Sequence, residues 1–156
     1  MNKWILALTV ATLTVGSFAA TPAHAQQYGT RQYYGDWKKH STGYAYRTYY
    51  YKPSKDYGAY KHHYVIHHPK KPDYHYYYNP YTKKYWGRCP STYGDKPVYS
   101  MLAEKDRKAD LEQIPESAFP KPSAPPGIPE SNDGATLDLP PDDLPDVSGL
   151  PAASGN

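Results

Sequence analysis

The sequence predicts a mostly β protein: a small antiparallel, tyrosine-rich sheet of hairpin or meander type, with one short helix and a disordered, proline-rich acidic tail. Three observations point there. All 19 tyrosines precede Ser100, and many sit in runs that alternate at period two. Charge splits along the chain: residues 26–99 hold 13 Lys and Arg against 4 Asp and Glu, whereas residues 100–156 hold 4 against 11. Ten of the 17 prolines lie at or after Pro115. The overall charge of +3 hides a basic half and an acidic half. The chain therefore divides into residues 1–25, a basic Tyr/His-rich β module with a terminal short helix over 26–114, and an acidic tail over 115–156.

The first segment reads as a signal peptide. Met1-Asn2-Lys3 supplies a short positive start, and residues 4–20 carry no charge. Pro22 breaks the run, and Ala23-His24-Ala25 has the small-x-small pattern that signal peptidase accepts. Cleavage is expected between Ala25 and Gln26. The run is shorter than the roughly 20 apolar residues of a membrane span, so no transmembrane segment is expected after cleavage. The expected location is the periplasm, the cell surface or the medium.

Within the basic half, Tyr44, Tyr46, Thr48 and Tyr50 alternate with Ala45, Arg47, Tyr49 and Tyr51, a strand with two distinct faces. Residues 57–68 continue the pattern around Val65 and Ile66. Residues 74–78 and 83–88 flank Asn79-Pro80-Tyr81-Thr82, whose Asn-Pro start marks a hairpin turn. Residues 49–58 echo residues 76–87, each running triple Tyr, polar residue, Pro, turn, Lys, Tyr and Gly. The echo suggests two hairpins side by side in a four-stranded meander. Residues 100–114 are rich in helix formers, with Ser100 as a cap and Pro115 as a stop.

Between residues 26 and 99 there is no Leu, Met or Phe, so a core there must be Tyr with Trp37 and Trp86. Each buried phenol needs a hydrogen-bond partner, or costs about 1–3 kcal/mol. The tail has no aromatic residue after Phe119 and no strand or helix period. Alone it cannot bury enough apolar area to offset about 1–2 kcal/mol of backbone entropy per residue, so disorder with short polyproline stretches is expected. The opposite charges of head and tail, and the fit of proline-rich sequence to tyrosine surfaces, also favour the tail folding back on the head.

Two sets of residues could carry a function. His62, His63, His67, His68 and His75 are candidate ligands for zinc or copper. No two of them are two apart, and a site on a strand would need help from a neighbouring strand. Tyr64, Tyr76, Tyr78, Tyr85, Trp86 and Arg88 are candidates for a binding surface, with envelope polysaccharide, an anionic surface or another copy of the chain as partner. Export makes nucleic acid an unexpected target. Cys89 is the only cysteine, so no internal disulfide can form; it is either a partly buried thiol without a role or a bridge to a second copy. No nucleophile elbow, phosphate loop, zinc-protease helix or dinucleotide fingerprint is present, and no enzymatic activity is expected.

The stretch from His62 to about Pro145 is similar to a group of small, exported, Tyr/His-rich bacterial proteins of unknown function. The shared features are His63-Tyr64-Val65-Ile66, the hairpin Tyr78-Asn79-Pro80-Tyr81-Thr82 with Tyr85-Trp86-Gly87-Arg88, then Asp106-Arg107-Lys108, residues 114–120, and Pro140-Pro141-Asp142-Asp143-Leu144-Pro145. The resemblance implies export and no particular activity. The expected function is that of a non-enzymatic envelope or extracellular protein using a basic tyrosine-rich surface, with histidine-mediated metal binding as the alternative.

Overall fold

The computed structural model describes residues 30–94 and 99–151; the expected signal peptide and its expected cleavage site lie outside the described residues. Among these residues, seven strands form one antiparallel sheet: β1 (Gln32–Tyr34), β2 (Lys38–His40), β3 (Tyr44–Tyr51), β4 (Lys61–His67), β5 (Tyr74–Asn79), β6 (Lys84–Pro90) and β7 (Ser100–Met101). The order is β1-β3-β4-β5-β6-β7, with β2 sharing the β3 edge beside β1. The expected meander is present as β3 to β6. Its second hairpin turns where the sequence places it. Asn79 Oδ1 accepts from the Tyr81 and Thr82 amides at 2.8 and 3.2 Å, and Lys83 closes the turn at φ 55°. The echoing segment at residues 49–58 opens the first hairpin, which has a longer loop before β4.

Alternation sets two faces. On β3, Ala45, Arg47, Tyr49 and Tyr51 are buried while Tyr44, Tyr46, Thr48 and Tyr50 are half-exposed. The first set joins Val65, Tyr77, Trp86, Cys89 and Tyr99 on what is termed the back face. The front face holds Ile66, Tyr76 and Tyr85, bordered by Tyr44, Tyr46, Tyr64, Tyr74 and Tyr78. A bulge shifts the β6 register, with Tyr78 opposite Tyr85 but Tyr77 opposite Gly87, so Tyr85 and Arg88, three residues apart, both lie on the front face while Trp86 packs on the back.

The helix expected over residues 100–114 does not form. Ser100–Met101 pairs with β6, and the chain continues through two 3-10 turns, Glu104–Asp106 and Leu111–Gln113. The reason is competition for backbone groups. The Leu102 amide donates to Trp86 O at 3.0 Å, and Lys108 O accepts from the Tyr85 amide at 2.8 Å. An extended strap also carries Leu102, Leu111, Ile114 and Phe119 across the front face, where all four are buried. A helix with such a thin apolar stripe could not reach as far.

Beyond Pro115 the backbone is as irregular as the composition predicts: one more 3-10 turn, Glu116–Ala118, and isolated bridges at Tyr99–Ser123 and Gly127–Thr136. Through Pro151 it is nonetheless docked on the sheet. After crossing the front face it passes the β7 edge and runs along the back face, where Ile128 and Leu137 are each 2% exposed. Docking prevails over disorder because the sheet supplies what the tail lacks. Its back face offers apolar area for Ile128 and Leu137, each worth about 1.5–3 kcal/mol when buried. It also offers phenols in need of acceptors. Tyr34 and Tyr99 donate to Asp138 O at 2.8 and 2.9 Å, and Tyr93 donates to Pro140 O. A proline-rich segment suits this role, because proline keeps its carbonyl acceptor but brings no amide donor of its own to satisfy.

Candidate functional site

The two halves of the chain meet through ion pairs. Arg31–Asp133, Lys39–Asp146, Arg47–Asp143, Lys61–Glu130, Lys71–Glu112 and Arg88–Glu116 each join a cation of the basic half to an acid of the second half. Two of the cations are buried, one per face. On the back, Arg47 donates to both Asp143 oxygens, at 2.7 and 3.0 Å, and lies 4.5 Å from the Trp37 ring. On the front, the Arg88 guanidinium is held between the Tyr74 and Phe119 rings at 3.8 and 4.0 Å while pairing with Glu116. That hydrogen bond from Arg88 holds the Glu116 carboxyl below its usual pKa.

The histidines divide between the faces. His63, His67 and His75 point to the back and are buried; His62 and His68 border the front. His67 and His75 are opposite each other in the β4–β5 register, with Nδ1 atoms 3.3 Å apart, so one donates and the other accepts. His63 Nε2 instead faces the Tyr51 hydroxyl at 3.3 Å. Burial pushes His63 and His68 down to about 4 and His75 to about 3, so they are neutral near pH 7. Among the described residues, no group of three His, Cys, Asp or Glu side chains could hold a metal ion. The register thus brings together two of the five predicted ligands and sets the other three apart. Cys89 is 1% exposed, and burial pushes its thiol up to about 12. It is a buried, protonated side chain that cannot reach a second copy without unfolding.

The opening in the front face is the strongest candidate for a site. It is a groove of 380 Å³ lined by His40, Tyr44, Tyr46, Tyr64, Tyr78 and Tyr85, with Ile66 as floor and Ala109 of the strap as rim. The sheet register builds it: Tyr46 lies opposite Ile66, Ile66 opposite Tyr76, and Tyr64 opposite Tyr78. The rings meet at angles that leave edges and faces free. Tyr46 and Tyr64 are edge-on at 5.6 Å, Tyr78 and Tyr85 at 5.1 Å, and His40 stacks on Tyr44 at 4.4 Å. Beyond Tyr64 the row continues through His62 at 5.5 Å to Tyr50, then to Tyr33 and Tyr60.

Of the predicted surface residues, Tyr64, Tyr78 and Tyr85 do line this groove. The other three do not offer a surface. Trp86 is buried on the back face, and Tyr76 and Arg88 are buried beneath Phe119 and Glu116. Sequence reasoning missed His40, Tyr44, Tyr46, Ile66 and Ala109. The alternation of β3 did place Tyr44 and Tyr46 on one face, but which face stays open depends on where the strap lies. No helix among the described residues is long and apolar enough to cross a membrane. No family model, curated protein or solved structure matches the chain.

Proposed function

We propose that the protein is an exported, non-enzymatic binding protein whose front-face tyrosine groove holds a neutral polysaccharide of the envelope or surroundings. The observation that carries this reading is the groove itself, with four half-buried tyrosines from three adjacent strands around an apolar floor. A sugar ring has an apolar C–H face that lies on an aromatic ring, and hydroxyls around its rim that hydrogen-bond to phenols. Tyrosine supplies both kinds of contact with little rotamer entropy to lose. Export is supported by the signal sequence ending at Ala25.

Charge favours a neutral ligand over an anionic one. No Lys or Arg lines the groove, and Arg88, the one cation among the predicted surface residues, is engaged by Glu116. Six cations of the basic half, both buried arginines among them, pair with the chain's own acids. The alternative reading, a transition-metal carrier, has the His67–His75 pair in its favour and no third ligand grouped with it among the described residues.

The test is calorimetric titration of the chain with neutral and acidic oligosaccharides, alongside zinc and copper. The expected result is saturable binding of a neutral glycan, weakened tenfold or more by Tyr46→Ala or Tyr64→Ala and insensitive to salt. Binding that survives both substitutions, or that is confined to acidic polymers and vanishes with salt, would overturn the reading.

A further inference from the structure

The front face carries a second aromatic feature, away from the groove and independent of what the groove binds. Tyr33 of β1 and Tyr50 of β3 are directly paired across the strands. Their rings are stacked, with centroids 4.7 Å apart and an angle of 18° between planes. Tyr60 packs edge-on against Tyr33 at 5.1 Å. Tyr33 is 37% exposed, and β1 is a three-residue strand at the sheet edge. An exported chain meets oxidants, yet this one has a single cysteine and cannot tie its edge strand with a disulfide.

We propose that Tyr33 and Tyr50 form an intrachain dityrosine cross-link that staples β1 to β3. The oxidant is hydrogen peroxide acting through a haem peroxidase. Each phenol gives up one electron and one proton. The resulting phenoxyl radicals couple through a carbon–carbon bond between ring positions ortho to the hydroxyls. The hydrogens on the coupled carbons then move to the oxygens, restoring both phenols. The two electrons and two protons reduce one peroxide to two waters. The chain loses two hydrogen atoms and gains one covalent bond. The two rings already stack 4.7 Å apart on paired strands, so coupling asks for no unfolding of the strand, and the row through His62, Tyr64 and Tyr46 gives a radical formed elsewhere on the face a route to this pair.

The test exposes dilute purified chain to horseradish-type peroxidase and hydrogen peroxide, then reads dityrosine fluorescence and maps cross-linked peptides by mass spectrometry. The expected product is monomeric, with Tyr33 joined to Tyr50. Tyr33→Phe, a change at an exposed ring, removes the fluorescence, as does Tyr50→Phe; Tyr57→Phe, which alters another exposed ring, leaves it. The cross-link also slows proteolytic release of the N-terminal segment several-fold. Four results would each overturn the proposal: cross-links confined to dimers, coupling at Tyr57 or Tyr81 instead, equal yield from urea-unfolded chain, or no dityrosine while free tyrosine in the same mixture reacts.

Discussion

Arg47 and Asp143 stand 96 residues apart and meet in a two-bond fork on the back face of the sheet. The same aspartate also accepts the Trp37 indole N–H through its backbone oxygen at 3.0 Å, so one tail residue fixes β3 and the loop before β2 together. Arg47 is 4% exposed, whereas the Asp143 side chain is 53% exposed. Removing the aspartate leaves a buried guanidinium without its partner. Asp143→Ala is expected to cost about 3 kcal/mol, the low end for a broken buried pair, because solvent reaches the carboxylate. Arg47→Met in the Asp143→Ala background restores part of that loss. Urea unfolding of the two single variants and the double variant measures it; independent, additive effects would show that the fork contributes nothing.

The tail's docking yields a paired prediction. Leu137 is 2% exposed against the tyrosine core, while Leu144, seven residues on, is 57% exposed. Leu137→Ala should lower stability by about 2–4 kcal/mol, and Leu144→Ala by less than about 0.5 kcal/mol. Equal, negligible effects in thermal unfolding would mean that the tail does not belong to the fold.

Gly87 offers a steric test. A Cβ there would sit 2.9 Å from Met101 Sδ and 3.0 Å from Ser100 O. The sulfur can swing away; the β7 carbonyl cannot move without loosening its pairing to β6. Gly87→Ala is expected to cost about 1–3 kcal/mol, and adding Met101→Ala should recover only part of it. Differential scanning calorimetry distinguishes partial from full recovery.

Stability should fall in mild acid. His63 and His75 are held neutral, at about 4 and about 3, by burial, while an unfolded chain titrates near pH 6.5. Between those values the unfolded state binds more protons, so stability declines as pH drops below about 6.5 and these residues add no pH dependence above about 7.5. The combined effect by pH 4 is on the order of several kcal/mol. Glu116, with its lowered pKa, acts in the same direction further down. Its stabilisation is present above the ordinary carboxylate range and is lost as pH falls through its folded value. Melting temperatures from about pH 8 to 4, with the His63 and His75 resonances followed by NMR, check this; either of these two imidazoles titrating near 6.5 in the folded chain would contradict it.

The sequence by itself determined a good deal. Alternation from Tyr44 to Tyr51 specified a two-faced strand, and Asn79-Pro80 specified the second hairpin, because strand period and turn chemistry are local properties. The lack of Leu, Met and Phe over residues 26–99 specified a tyrosine core, and the charge split foretold that the halves would attract. Tertiary structure decided what local rules cannot see. Residues 100–114 have helical composition, yet β6 claimed the Leu102 amide and the Lys108 carbonyl. Residues 115–151 cannot fold alone, yet unmet phenols and open apolar area on the sheet gave them a place. Register, a long-range property, set His75 opposite His67 and gathered Tyr46, Tyr64 and Tyr78 around one groove. A sequence records which side chains alternate; only the packed chain records which of the two resulting faces stays open.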